Sequence, residues 1–163
     1  MSSASAVLTS PSVERVRLAL ERAGVATEIV ELPGAARTAK AAAAFLDCDV
    51  AQIANSLVFR AEERNTAILV ISSGAKRVDA ERLAQHLGER VGKADADFVR
   101  AHTGFAIGGV APVGHGIRRV LVERSLAEHG ALWAAAGHPH TVFRLTYPEL
   151  VRITDGEEAT LAE

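Results

Sequence analysis

The sequence predicts a mixed α/β (α+β) domain, with a curved, mostly antiparallel sheet surrounded by helices. Three observations point there. Segments with helical apolar spacing are interleaved with short β-rich segments, and the strands are joined by hairpin-like turns. No internal repeat or low-complexity linker divides the chain. A doubly wound parallel sheet is disfavoured, because it needs a crossover helix between successive strands. At 163 residues the chain is one domain with a single substantial core.

The first helix is expected to start near Ser10 or Ser12, with Pro11 suited to the first turn. Val13, Val16, Leu20 and Ala23 share one face, and Gly24 is a natural stop. Thr27 to Leu32 is β-rich and ends at Pro33-Gly34. Thr38 is placed to cap an Ala-rich helix, Ala39 to Leu46, and a short helix is expected around Val50 to Ala54. Strands Ser56 to Arg60 and Thr66 to Ser72 flank the polar A-E-E-R-N, which reads as a hairpin connection. Asp79 can cap A-E-R-L-A-Q-H-L, which Gly88 ends, and Asp95 or Asp97 starts a short helix toward His102. Arg119 to Glu123 reads as a strand and Ser125 to His129 as a helical turn. Strands Leu132 to Ala136 and Thr141 to Leu145 follow, and Thr146 caps a last helix carrying Pro148 and Leu150.

Composition excludes several function classes. The 48% hydrophobic content suits a folded chain, and 4% aromatic content means a core of Ala, Val, Leu and Ile. A net charge of −2 gives no bulk attraction to nucleic acid or to an anionic membrane. RNA contact would be local, through Lys76 and Arg77 or Arg118 and Arg119, pairs that more often are solvated surface. No helix-turn-helix or basic stripe suggests DNA binding. The lone cysteine, Cys48, precludes an internal disulfide and reads as a small packed side chain rather than a nucleophile. Residues 1–10 read as a flexible leader without signal-peptide character, ahead of a single domain over 11–163. No segment has the length of a membrane span, so a cytoplasmic protein is expected.

The most informative stretch is T-G-F-A-I-G-G-V-A-P-V-G-H-G, Thr103 to Gly116. Its glycines allow close approach to the backbone and Pro112 stiffens the bend, so several N–H groups can converge on one anion or developing oxyanion. A plain turn between strands is the competing reading. The stretch is neither a P-loop, since His115 follows Gly114 where Lys would stand, nor G-x-G-x-x-G, nor a serine nucleophile elbow. A metal site formed by His115, His138 and His140 is a weaker reading, since no Cys or carboxylate accompanies them at ligand spacing, and no metal or cofactor is expected.

Six segments come in a recognisable order: T-A-K-A-A-A from Thr38, Q-I-A-N-S-L-V-F from Gln52, S-G-A-K-R-V-D from Ser73, K-A-D-A-D-F-V from Lys93, the glycine stretch, and A-A-G-H-P from Ala135. Together they resemble the YbaK/EbsC family, which includes the editing domain associated with prolyl-tRNA synthetase and free-standing trans-editing factors. The resemblance spans Ser12 to Ile153. It implies an editing-domain fold and an aminoacyl-tRNA deacylase that hydrolyses the ester of mischarged tRNA, of the proline type, in trans. Its partners would be the acceptor end of that tRNA and a synthetase.

Such an ester is already activated, so a positioned water and oxyanion donors suffice, one donor being worth about 3 kcal/mol. The resemblance assigns catalysis to Gly108, Gly109, Val110 and Asn55, and substrate binding to Thr38, Pro112, Gly114, Gly137 and His138. Asn55 departs from the pattern, since many editing members carry lysine just before this strand. Asn keeps hydrogen bonding but not the charge. A non-catalytic module that kept the fold and binds aminoacyl-tRNA or a nucleotide is the alternative.

Overall fold

A computed structural model describes residues 6–162. Helix α1 (Pro11–Arg22) has Ser10 as its N-cap residue and Pro at its start, as expected. A short strand β1 (Ile29–Glu31) leads to α2 (Ala39–Leu46), where Thr38 caps by accepting from the Ala41 N–H at 3.1 Å. Strands β2 (Ile53–Ala61) and β3 (Thr66–Ser73) form the central hairpin. Helix α3 (Ala80–Leu87), strand β4 (Val91–Lys93) and α4 (Ala96–Thr103) follow, with Asp79 and Asp95 as the helix caps. After the glycine loop come β5 (Arg119–Glu123), β6 (Leu132–Ala135), β7 (Thr141–Leu145), α5 (Tyr147–Thr154) and β8 (Glu157–Ala159).

The sheet runs β1-β7-β6-β2-β3-β5-β8, with β4 paired to β2. Among the described residues four pairings are antiparallel and three parallel, the parallel ones joining β2 to β6, β3 to β5 and β5 to β8. The central hairpin is tight: Ala61 pairs with Thr66 across 62–65, and Asn65 takes the left-handed conformation (φ 53°) that Asn tolerates best after Gly.

Period-two alternation on β3 and β5 divides the core. Leu69, Ile71, Val120 and Val122 join one cluster with Val13, Val16 and Leu20 of α1. Ile68, Val70 and Leu121 join another with Leu83 of α3. A third cluster seats Ala42 and Ala43 of α2 on Ile53 and Val142. The sheet is therefore covered on both faces, which is why β3 is buried almost throughout rather than alternating.

Three sequence expectations change. The helix expected around Val50 to Ala54 is one 3-10 turn, Val50–Gln52, closed by the Asp49–Gln52 capping box. The chain then enters β2 at Ile53 because Ile53 and Ala54 pair with Trp133 and Ala134. The turn expected at Ser125 to His129 is a 3-10 segment, Arg124–Glu128. Strands β4 and β8, each three residues long, carry no periodic signal and were not anticipated. Of the expected leader, residues 1–5 lie outside the described residues, while Leu8 packs against the main core and its carbonyl accepts from Arg17 at 3.2 Å.

Candidate active site

The glycine loop leaves α4 through Thr103, whose hydroxyl donates to the Val99 carbonyl (2.6 Å) and accepts from the Phe105 N–H (3.0 Å). Its apolar residues Phe105, Val110, Ala111 and Val113 are buried in the main core and hold the loop down. Arg15 of α1 clamps it from behind, with the guanidinium 4.3 Å over the Phe105 ring and a hydrogen bond to the Thr103 carbonyl at 3.2 Å.

Within the loop the Gly109 N–H donates to the Ala106 carbonyl at 3.0 Å, closing a turn. Among the described residues the N–H groups of Gly108 and Val110 have no acceptor. Both residues line a cavity of about 460 Å³, a size in the range of small-molecule sites. The opposite walls come from the start of α2, the start of β2, and β6 with the turn that follows it. Thr38 and Asn55 line the same cavity, so four of the residues expected at the site meet there. Asn55 makes no side-chain hydrogen bond among the described residues, and Thr38, having accepted from Ala41, keeps its hydroxyl proton to donate.

The other expected residues stand behind this wall. A Cβ on Gly109 would lie 2.8 Å from the His138 Cα, so the loop and the β6–β7 turn touch backbone to backbone there. Gly137 has φ +99° and its missing side chain leaves room for the Ser12 carbonyl, 2.7 Å from where a Cβ would be. The Pro112 carbonyl accepts from His115 Nε2 at 2.8 Å, and Gly114 packs against Phe105 and Arg15. His138 Nδ1 accepts from the His140 N–H at 3.0 Å, which leaves the proton of the neutral ring on Nε2. Burial first, and His140 second, push the His138 pKa below the usual histidine value.

His115, His138 and His140 are not gathered around one point. Both ring nitrogens of His115 are engaged, by Pro112 and by the Ile117 N–H (3.1 Å), and among the described residues no group of three or more His, Cys, Asp or Glu could hold a metal ion. Cys48 is half-buried, and burial together with Asp49 and Asp47 pushes its thiol pKa up, away from a nucleophile. Arg118 is exposed, and Arg119 pairs with Glu157 at 3.1 Å. No helix among the described residues is long and apolar enough to cross a membrane.

Polar and aromatic lining residues beyond the expected ones complete the cavity. Arg37, Lys40, Ser56 and Trp133 all line the cavity. Lys40 lay inside the quoted T-A-K-A-A-A, so a signal was present for it. Trp133 reaches the site only through the β2–β6 pairing, which no local pattern reveals.

Residues 34–153 match the aminoacyl-tRNA editing domain family. The uncharacterized protein YwhH of Bacillus subtilis (strain 168) is 27% identical over 140 residues, which is 85% of this chain and 88% of that protein. A solved structure provisionally described as a trans-editing enzyme for prolyl tRNA synthetase superposes with a TM-score of 0.87 at 41% identity, covering 94% of this chain and 98% of that one. A scaffold used for epitope backbone grafting by computational design gives a TM-score of 0.87 at 40% identity, over 94% of this chain and 99% of its own. The family match takes in both walls of the cavity, from the start of α2 to the glycine loop and the β6–β7 turn, and the chain belongs to the aminoacyl-tRNA editing domain family.

Proposed function

We propose that the protein is a deacylase that removes wrong amino acids from tRNA in trans, with tRNA of the proline type as its substrate. The observation that carries this reading is the single cavity lined by Asn55, Thr38, Gly108 and Val110, in which the last two have N–H groups without an acceptor among the described residues. The family and the likeness to the trans-editing relative support the substrate class.

In the reaction a water molecule attacks the ester carbonyl carbon. The carbonyl oxygen becomes an oxyanion, which the N–H groups of Gly108 and Val110 stabilise. The bond to the ribose oxygen then breaks, and that oxygen takes the proton the water lost. The products are a free amino acid and a tRNA with its terminal hydroxyl restored. Among the described residues no carboxylate or imidazole lines the cavity, and the proton passes through water and the neighbouring ribose hydroxyl. Asn55 and the Thr38 hydroxyl orient the ester and the water by hydrogen bonds. Ile53, Trp133 and Val142 bound the space for the amino-acid side chain, so the pocket sorts by size.

Gly109 serves here as the spacer that brings the loop against His138, since its own N–H is committed to Ala106. The test is deacylation of tRNA for proline carrying Ala, Ser, Cys or 2-aminobutyrate, at catalytic enzyme concentration. Multiple turnovers on one of them are expected. Tight binding without turnover on any of these substrates would overturn the hydrolase reading and leave a binding module.

A further inference from the structure

Arg37 and Lys40 line the cavity, and among the described residues no Asp or Glu does, in a chain whose net charge is −2. Neither cation has an ion-pair partner among the described residues, whereas Arg17, Arg64, Arg82 and Arg119 all do. Lys40 also sits in the first turn of α2, where the helix dipole disfavours a positive charge and where no acidic residue offsets it. Its placement therefore does not serve the helix. Gly108 packs against Arg37, with a built Cβ only 3.3 Å from the Arg37 Cα, so the Arg37 segment borders the unpaired N–H groups of the loop directly. Ser56 Oγ is buried without a hydrogen-bond partner among the described residues, and its residue lines the same cavity.

The geometry points to a phosphate subsite at the mouth of the cavity, in which Arg37 and Lys40 hold the phosphodiester that precedes the terminal adenosine of the aminoacylated strand. This inference rests on the proposed deacylase reading and deepens it. A guanidinium offers paired donors to phosphate oxygens and the ammonium adds a point charge. The work of fixing the strand is thereby moved off Asn55, which is neutral, and onto the α2 side of the cavity. Asn55 is left to hydrogen-bond the ester region, and the substrate is held by its last phosphate whatever amino acid it carries.

The test compares two minimal substrates, an aminoacylated CpA dinucleotide, which has the phosphate, and the same amino acid esterified to adenosine, which lacks it. The wild-type protein is expected to cleave the first with at least a ten-fold higher kcat/KM. In Arg37→Gln, Lys40→Gln and the double variant that preference falls toward unity through KM on the dinucleotide. The dependence of kcat/KM on salt for the dinucleotide becomes shallower in the variants, because the charge that pairs with its one phosphate is removed. Lys40→Arg retains the preference. Equilibrium binding of unacylated CpA against adenosine gives the same comparison without turnover. If both bind equally, or if the double variant keeps the preference and the salt slope, the phosphate subsite is wrong even where deacylation stands. If CpA is preferred but no ester is cleaved, the subsite stands and the deacylase reading fails.

Discussion

Gly109 shows how one missing side chain shapes this site. Its backbone is not in the left-handed region, so alanine is conformationally allowed there, yet a Cβ would fall 2.8 Å from the His138 Cα and 2.9 Å from the His138 N. Backbone on both sides cannot yield as a flexible side-chain tip can. We expect Gly109→Ala to cost about 1–3 kcal/mol and to lower deacylation by prying the loop from the β6–β7 turn. Thermal unfolding and kcat/KM measure the two effects, and an unchanged melting temperature would show that the contact is loose.

His115 carries a pH dependence. Burial, the largest cause, lowers its pKa below 6.5; Arg15 acts the same way and the Pro112 hydrogen bond opposes them. Its Nδ1 accepts from Ile117, so protonation would also break that bond. The unfolded chain takes up this proton near the ordinary histidine value and the folded chain only at lower pH. The contribution to stability is therefore full above the unfolded value and is lost as pH falls through the folded one. Urea unfolding at about pH 7.5 and about pH 5.5 should show lower stability in acid, with a smaller difference in His115→Gln. The same pH dependence in both proteins would remove His115 as the cause.

At the scale of elements, short helices lean on their caps. Helix α3 has eight residues and a single buried position, Leu83, and Asp79 accepts from the N–H groups of Glu81 (2.9 Å) and Arg82 (3.4 Å). Asp79→Ala should cost about 1 kcal/mol, read as a lower urea midpoint at unchanged m-value. Such caps were legible: Thr38, Asp79 and Thr146 were all placed from sequence, because the cap bond is local and needs only a side-chain oxygen two or three residues ahead of an N–H. The start of β2 was not legible. Ile53 and Ala54 extend because Trp133 and Ala134 lie beside them in space, some eighty residues later in the chain.

At the scale of the whole molecule, stability and site are separable. Glu123, 2% exposed, ends β5 and accepts from the N–H groups of Leu161 and Ala162, latching the C-terminal segment beside α3, on the opposite side of the sheet from the glycine loop's anchors. Glu123→Ala leaves both buried N–H groups unpaired and should cost on the order of 3 kcal/mol. Activity per folded molecule should persist at temperatures where the variant remains folded. Loss of deacylation in a fully folded Glu123→Ala would mean that the latch reaches the cavity.

Local chemistry alone decided the five α-helices of the described residues and their caps, the central hairpin, and the glycine-rich stretch as a loop. Each rests on spacing or bonding within a few residues, which the sequence carries directly. Three things were left to the tertiary structure. It decided which loop amides remain unpaired, because the Gly109 N–H is consumed by a turn while those of Gly108 and Val110 are not. It brought Thr38 and Asn55 to the same cavity as that loop and left Gly137 and His138 out of its lining. It brought Arg37 and Lys40 to a cavity that no Asp or Glu lines among the described residues. All three depend on contacts between segments far apart in the chain, where strand pairing and core packing, rather than neighbouring residues, determine what a side chain meets.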